Sequence, residues 1–305
     1  MPHPLDIPAS LRAYAGRGDA FAGFLDELPR LVEDLVHEWG LTVDGAPTHG
    51  FCALVVPVHT AEGERAVLKV GFPHVEAEHE HLALQHWHGR GAVRLLRADP
   101  RRSAMLLERL RAEDLADVWD LEACEVVAGL YGRLHVPAPP QLRTLTSYAE
   151  GWARDLAALP RSAPLPRRLV EQAVSLGRGF AADPGADGTM VHTDLHYANV
   201  LAGDREPWLA IDPKPLSGDP HVELAPMLWN RWGELAGDVR GGVRRRFHTL
   251  VDAALLDEHR ARDWVVVRML TIAMWRLADE PEVRRLTPTD DFLTMCVTIA
   301  KAVQD

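Results

Sequence analysis

The stretch from Thr189 to Leu216 constrains this 305-residue chain more than any other. It holds two short apolar runs, Met190-Val191-His192 and Trp208-Leu209-Ala210-Ile211, and each leads into an acidic residue, Asp194 or Asp212. Between them, His192-Thr193-Asp194-Leu195-His196-Tyr197-Ala198-Asn199 places an amide five residues after the first acid. Short apolar runs bounded by polar and turn-forming residues read as strands. A strand, a loop, a hairpin and a second strand bring both strand ends to one place. The chain is therefore expected to fold so that two carboxylates and an amide converge.

Such a trio suits phosphoryl transfer. The transferred group spreads its charge over several oxygens, so the protein must supply a metal-bound clamp and a positioned acceptor more than covalent chemistry. Asp212 and Asn199 offer the hard oxygen ligands that suit Mg²⁺, which keeps several waters and the phosphates of a nucleotide. Asp194 lies upstream of both, able to take the acceptor's proton as the new bond forms. His192, at a strand end, is expected to brace the loop through backbone contacts. A metal hydrolase would use His192, Asp194 and His196, but no further ligand cluster appears and Asn199 would be idle. As mere Asx-turn formers, the two acids would leave the spacing unexplained.

A cation for the α and β phosphates is also required, held by an acid on a helix. Composition helps here, because the chain has thirty arginines and only three lysines, Lys69, Lys214 and Lys301. Lys69 sits inside Ala66-Val67-Leu68-Lys69-Val70, which pairs by pattern with Leu54 to Val58 across a turn at 61–64. An unpaired ammonium in mid-strand would be costly. Residues 75–88 are expected to be helical with Glu80, Leu84 and Trp87 on one face, which makes Glu80 the best partner and Glu76 and Glu78 the alternatives. The turn-rich loop from Asp44 to Gly50 is a candidate cover for the phosphates. Met105 to Leu110 reads as a strand whose last backbone groups, at Glu108, Arg109 and Leu110, would meet an adenine edge.

Around these landmarks, residues 19–39 carry a helical stripe of Phe21, Phe24, Leu25, Leu28, Leu31, Leu35 and Trp39, with Pro29 as an expected kink or break. Helices are expected over 120–135 and 146–159. Punctuated stretches at 136–141 and 160–188 would separate the pieces, and 223–304 reads as mostly helical. The organisation expected is α+β: an N-terminal nucleotide-binding lobe with a helical extension over 1–110, and a catalytic and acceptor-binding lobe over 111–305. A formal charge of −11 disfavours a nucleic acid and favours a cationic ligand. No apolar run approaches the ~20 residues of a membrane span. The N-terminal residues lack the basic start and apolar run of a secretory signal. Cys52, Cys124 and Cys296 are scattered, so a reducing cytoplasm is expected. His74, His79, His81, His86 and His88 read as solvated helix residues, and Arg244-Arg245-Arg246 as a helix surface.

The chain resembles the aminoglycoside phosphotransferase superfamily, and within it the streptomycin 6-kinase and hydroxyurea kinase branch. Val67-Leu68-Lys69, Gly91 to Leu96, Met105 to Leu110 and Leu130 with Arg133-Leu134-His135 carry the resemblance. The most specific block is His192 to Leu201 with Glu206 to Leu216 and Gly218-Asp219-Pro220, and the likeness spans roughly residues 20 to 280. It implies a protein-kinase-like two-lobed fold, an antiparallel sheet plus a helix followed by a mostly helical lobe, with ATP (or GTP) and Mg²⁺ in the cleft. By that resemblance Lys69 is the phosphate lysine, Glu80 its helix partner, Asp194 the base, and Asn199 and Asp212 the metal ligands. His196 stands where protein kinases place a lysine beside the γ-phosphate, which implies a phosphate contact. One departure is Glu223-Leu224, where relatives usually have a loop-bracing Asp followed by Leu. The segment 225–234 is the expected acceptor pocket, with Trp229, Asn230, Trp232 and Glu234, and Asp279 and Glu280 are further acids for a basic substrate. A streptomycin-type aminoglycoside is the acceptor expected first. Hydroxyurea or another small alcohol is the alternative, and a silent nucleotide- or drug-binding module the remaining one. The oligomeric state stays open.

Overall fold

The computed structural model describes residues 7–279 and 291–304, and the chain divides into two compact units, up to Arg111 and from Ala112 onward. The first unit opens with one helical turn, α1 (Ala9–Arg12), and a long helix, α2 (Asp19–Glu38). Phe21, Leu25, Leu28, Val32 and Leu35 recur at three- and four-residue spacing and are all buried, giving α2 one apolar face. Of the kink or break expected at Pro29, the break does not occur: α2 runs through that residue. A proline inside a helix costs about 3 kcal/mol through a lost hydrogen bond and a steric clash. Leu28 and Val32, buried on either side of it, offset that cost at about 1.5–3 kcal/mol per side chain.

Strands β1 (Thr42–Val43), β2 (Thr48–His49), β3 (Ala53–His59) and β4 (Arg65–Gly71) follow, then α3 (Glu80–Trp87), β5 (Leu95–Asp99) and β6 (Ala104–Glu108). They form one antiparallel sheet in the order β1-β3-β4-β6-β5, with β2 also paired to β3. Leu54, Val56 and Val58 of β3 and Ala66, Leu68 and Val70 of β4 share a core with the apolar face of α2. The period of two therefore turns Lys69 to the opposite face, in register with Val55 and Met105. Residues 75–79 form turns rather than the helix expected there, and α3 begins at Glu80. Val75 is exposed, whereas Glu80, Ala83, Leu84 and Trp87 are buried. The helix thus starts where burial starts.

The second unit contains α4 (Asp120–Leu134), α5 (Leu145–Ala157), α6 (Arg167–Ala181), β7 (Thr189–Val191), β8 (Val200–Ala202), β9 (Trp208–Ala210) and β10 (Leu216–Gly218). After these come α7 (Ala225–Trp229), α8 (Val239–Ala254), α9 (Glu258–Asp279) and α10 (Asp291–Ala302). Helix α6 occupies a stretch that reads as a connection. Its glycines suggest a break, but Gly177 is where α6 meets α5: an added Cβ would lie 3.2 Å from the Cβ of Ala153. Glycine here permits close packing, which outweighs its poor helix propensity. β7 pairs with β10 and β8 with β9, both antiparallel. Val191 of β7 and Leu216 of β10 lie in a core with Leu145, Trp152, Phe180, Val222, Trp264 and Val267. Phe180 stacks on Trp264 at 3.9 Å between ring centroids. The loop that leaves β7 therefore springs from a fixed support. Among the described residues no helix is long and apolar enough to cross a membrane, and all three cysteines are free.

Candidate active site

In the first unit, Lys69 reaches from β4 to the start of α3, where its Nζ donates to both carboxylate oxygens of Glu80 at 2.6 and 2.8 Å. The two side chains are only 12% and 5% exposed, so the ion pair lies in a low-dielectric setting. At the end of β6, the Glu108 N–H donates to the Arg94 carbonyl and the Arg109 N–H to that of Arg65. The Arg109 guanidinium is paired with Asp44 at 2.5 Å. These bonds narrow the expected adenine contact, because the donors of Glu108 and Arg109 are already engaged. Leu110 keeps its N–H outside any hydrogen bond with the described residues.

In the second unit, the loop after β7 is held by a buried carboxylate. Glu223, fully buried, accepts from the His192 N–H at 2.5 Å and from the Thr193 N–H at 2.9 Å. His135 lies against the same carboxylate at 3.4 Å, and the Tyr131 hydroxyl donates to the Glu223 carbonyl. Burial pushes the Glu223 carboxyl upward, yet the hydrogen bond and charge of His135, with the His192 N–H, hold it below the usual carboxylate range. Glu223 thus braces the loop despite its extra methylene. Thr193 takes a left-handed backbone conformation (φ 62°), unusual for a β-branched residue. The Glu223 bond and its own hydroxyl, which donates to the Lys214 carbonyl at 2.7 Å, over-determine that geometry.

His192 joins the two strand ends. Its Nδ1 lies 3.3 Å from the Asp194 N–H and its Nε2 lies 2.9 Å from the Ile211 carbonyl oxygen. The first partner is a donor and the second an acceptor, so the proton sits on Nε2. Burial lowers the imidazole's proton affinity, in keeping with a neutral ring. The Lys214 N–H donates to the His192 carbonyl at 3.0 Å, and the Ile211 N–H to the Asn199 carbonyl at 2.9 Å. Residues 192–194, 199 and 211–214 are thereby stitched together, and Asp212, also left-handed (φ 56°), lies within this frame.

The Asn199 side chain donates through Nδ2 to the Asp194 carbonyl at 2.8 Å, which fixes the amide orientation and leaves Oδ1 as its free acceptor. Among the described residues no group of three or more His, Cys, Asp or Glu could hold a metal. The donor set expected for a metal, Asn199 Oδ1 and the Asp212 carboxylate, is all-oxygen. It fits Mg²⁺, which completes its shell with water and phosphate oxygens, and does not fit zinc, which takes nitrogen and sulfur ligands. The clustered histidines of residues 74–88 form no such group either.

Sequence reasoning assigned no role to Lys214, whose ammonium pairs with Asp194 Oδ2. The rarity of lysine was the available signal. His196, half-buried, has a buried Nδ1 without a hydrogen-bond partner. Burial keeps its ring below the usual histidine pKa, against the opposing pull of the Asp194 carboxylate.

The expected acceptor segment connects to this loop through Arg246. That residue corrects the expectation of a surface helix at 244–246, because its side chain is fully buried. It donates through Nε to Asp120 at 2.8 Å and through Nη1 to the Asn230 carbonyl at 2.7 Å. Tyr197 donates to the other oxygen of Asp120 at 2.6 Å, and Arg231 lies over the Tyr197 ring at 4.7 Å. Within the segment, the Asn230 amide donates to the Pro226 carbonyl, and Glu234 is bound by Arg231 at 2.8 and 2.6 Å. These two side chains hold the segment's own shape. Trp229 and Trp232 are half-buried. Asp279 ends α9, but its side chain and all of Glu280 lie outside the described residues.

The chain is similar to known small-molecule phosphotransferases. The family described as Aminoglycoside/hydroxyurea antibiotic resistance kinase matches residues 38–280. A streptomycin 6-kinase of Streptomyces glaucescens is 45% identical, covering 90% of this chain and 92% of its own length. A hydroxyurea phosphotransferase of Kitasatospora aureofaciens is 42% identical, covering 90% and 81%. Among solved structures, an aminoglycoside phosphotransferase in ternary complex with ADP and hygromycin B superposes with a TM-score of 0.61 at 16% identity, over 88% of this chain and 97% of that one. This likeness shows the fold, which is α+β and protein-kinase-like.

Proposed function

We propose that this chain, which belongs to the aminoglycoside/hydroxyurea antibiotic resistance kinase family, transfers the γ-phosphoryl group of ATP to a hydroxyl of a streptomycin-type aminoglycoside in the cytoplasm. The observation that carries the acceptor is the 45% identity to a streptomycin 6-kinase over nearly the whole of both chains. A net charge of −11 suits a polycationic acceptor. In this reading Lys69, held by Glu80, receives the α and β phosphates, and the Leu110 backbone meets the adenine. Asn199 and Asp212 would hold Mg²⁺, which, when bound, neutralises phosphate charge. Asp194 Oδ1 or Oδ2 accepts the proton of the acceptor hydroxyl while that oxygen attacks phosphorus in line and ADP departs. His192, Thr193 and Glu223 hold Asp194 where that proton appears. The half-buried Trp229 and Trp232 would receive the acceptor's guanidinium groups by cation–π attraction.

The purified chain with γ-labelled ATP, Mg²⁺ and a panel of streptomycin, other aminoglycosides and hydroxyurea tests the reading. Transfer to streptomycin, with phosphorus NMR locating the new ester, is the expected result. No transfer to streptomycin at high enzyme concentration would remove this acceptor. The 42% identity to a hydroxyurea phosphotransferase favours hydroxyurea as the second candidate, and that arm of the panel decides between them.

A further inference from the structure

Lys214 is held by more than its charge. It follows Asp212 by two residues and is flanked by Pro213 and Pro215, which restrict the backbone on both sides. Its N–H donates to the His192 carbonyl at 3.0 Å, and its carbonyl accepts from the Thr193 hydroxyl at 2.7 Å. The side chain, 31% exposed, then meets an Asp194 carboxylate that is 20% exposed. A lysine that only needed solvent would not be fixed at both backbone groups against the loop it pairs with. In a chain that uses thirty arginines, the compact ammonium also differs in kind. It is a point charge that one carboxylate and one phosphate oxygen can share, whereas a guanidinium spreads its charge over a rigid planar fork of five donors.

Resting on the kinase reading above, we infer that Lys214 is a catalytic residue, whose ammonium passes from Asp194 to the transferring phosphoryl group and does the work of the lysine that position 196 lacks. During transfer the acceptor's O–H proton moves to Asp194. The acceptor oxygen forms a bond to the γ-phosphorus. The bond from that phosphorus to the bridging oxygen breaks, and its electron pair leaves with ADP. Lys214 keeps its proton, and nothing is oxidised or reduced. Once Asp194 is protonated its negative charge is gone, so the pull of that carboxylate on the neighbouring ammonium weakens just as charge redistributes over the phosphoryl oxygens. The interaction is stronger in the transition state than in the ground state, which is the condition for raising turnover rather than affinity.

The test compares wild type, Lys214→Met and the double variant Lys214→Met/His196→Lys. Turnover is measured on streptomycin, and calorimetry measures the binding of ADP with Mg²⁺, alone and with aluminium fluoride as a mimic of the transferring phosphoryl group. Lys214→Met is expected to lose about 10²–10³-fold in kcat, as for removal of one preorganised transition-state contact. KM for ATP and the affinity for ADP alone should change less than about threefold, whereas the affinity gained by adding aluminium fluoride should fall at least about tenfold. The double variant should recover at least about tenfold of the lost kcat, because the charge returns from position 196. Lys214→Gln, which keeps the stem and a donor, repeats the comparison should the Met variant not fold. Turnover within about threefold of wild type, an unchanged aluminium fluoride increment, or no recovery in the double variant would each overturn the inference. A wild type that phosphorylates no acceptor removes the kinase reading itself, a result separate from any of these.

Discussion

Glu223 offers the most direct test of how the catalytic loop is held. In Glu223→Ala the N–H groups of His192 and Thr193 lose a carboxylate that accepts from them at 2.5 and 2.9 Å in a fully buried site. Two charge-assisted hydrogen bonds at about 1.5–3 kcal/mol each give about 3–6 kcal/mol of destabilisation. For a unit of this size that corresponds to a fall in Tm of roughly 6 °C or more. The left-handed Thr193, no longer over-determined, would relax at a release of about 1–3 kcal/mol. Asp194 would move with it, and a displacement near ~1 Å costs about 10²-fold in kcat. Glu223→Asp, whose carboxylate is one methylene short, should reach one N–H at full strength and fall between the two. Differential scanning calorimetry and steady-state phosphate transfer measure both effects. A Glu223→Ala protein that melts within about 2 °C of wild type and keeps kcat within about threefold would refute the bracing role.

Asp194→Asn should bind nucleotide as wild type does while losing about 10²–10⁴-fold in turnover, read by calorimetry beside labelled-ATP transfer. Lys69→Met should weaken ATP binding and lower Tm, since breaking a buried ion pair by removing one partner costs about 3–5 kcal/mol. Lys69→Met/Glu80→Leu should regain Tm without regaining turnover. Stability should fall on acidification: His192 has a depressed folded pKa through burial, so its contribution is full above the unfolded value near ~6.5 and declines below it. Glu223, also depressed, adds its loss below the unfolded value near ~4.3. A urea midpoint that rises between pH 7.5 and 5.5 would contradict this. Gly177→Leu should destabilise by about 1–3 kcal/mol through overpacking of α5 against α6, whereas a neutral Tm would mean that the two helices separate freely there.

What the sequence disclosed and what it hid have separate physical causes. The 189–216 segment was legible because local spacing alone orders it: short apolar runs and fixed intervals between Asp194, Asn199 and Asp212 depend on no distant partner. Lys69 was legible because a charge inside a period-two apolar strand needs a partner, and the next helix offered one. Helix α6 was obscured because a glycine reads as a breaker until its neighbour is known, and the tight approach of Ala153 to Gly177 comes from a different helix. The Lys214–Asp194 pair depends on which residues face each other at the open end of the β7–β10 pairing, a long-range fact that spacing does not contain. Arg246 hid among three consecutive arginines, yet Val243, Phe247 and Leu250 around it are buried, so helical periodicity alone separates it from Arg244 and Arg245. Both charges have organised partners: Arg246 at a position that helical periodicity assigns to the interior, and Lys69 on the face of its strand opposite the α2 core. In this chain, those partners lead to Glu80 in one unit and, through Asp120 and Tyr197, to the loop that carries Asp194 in the other.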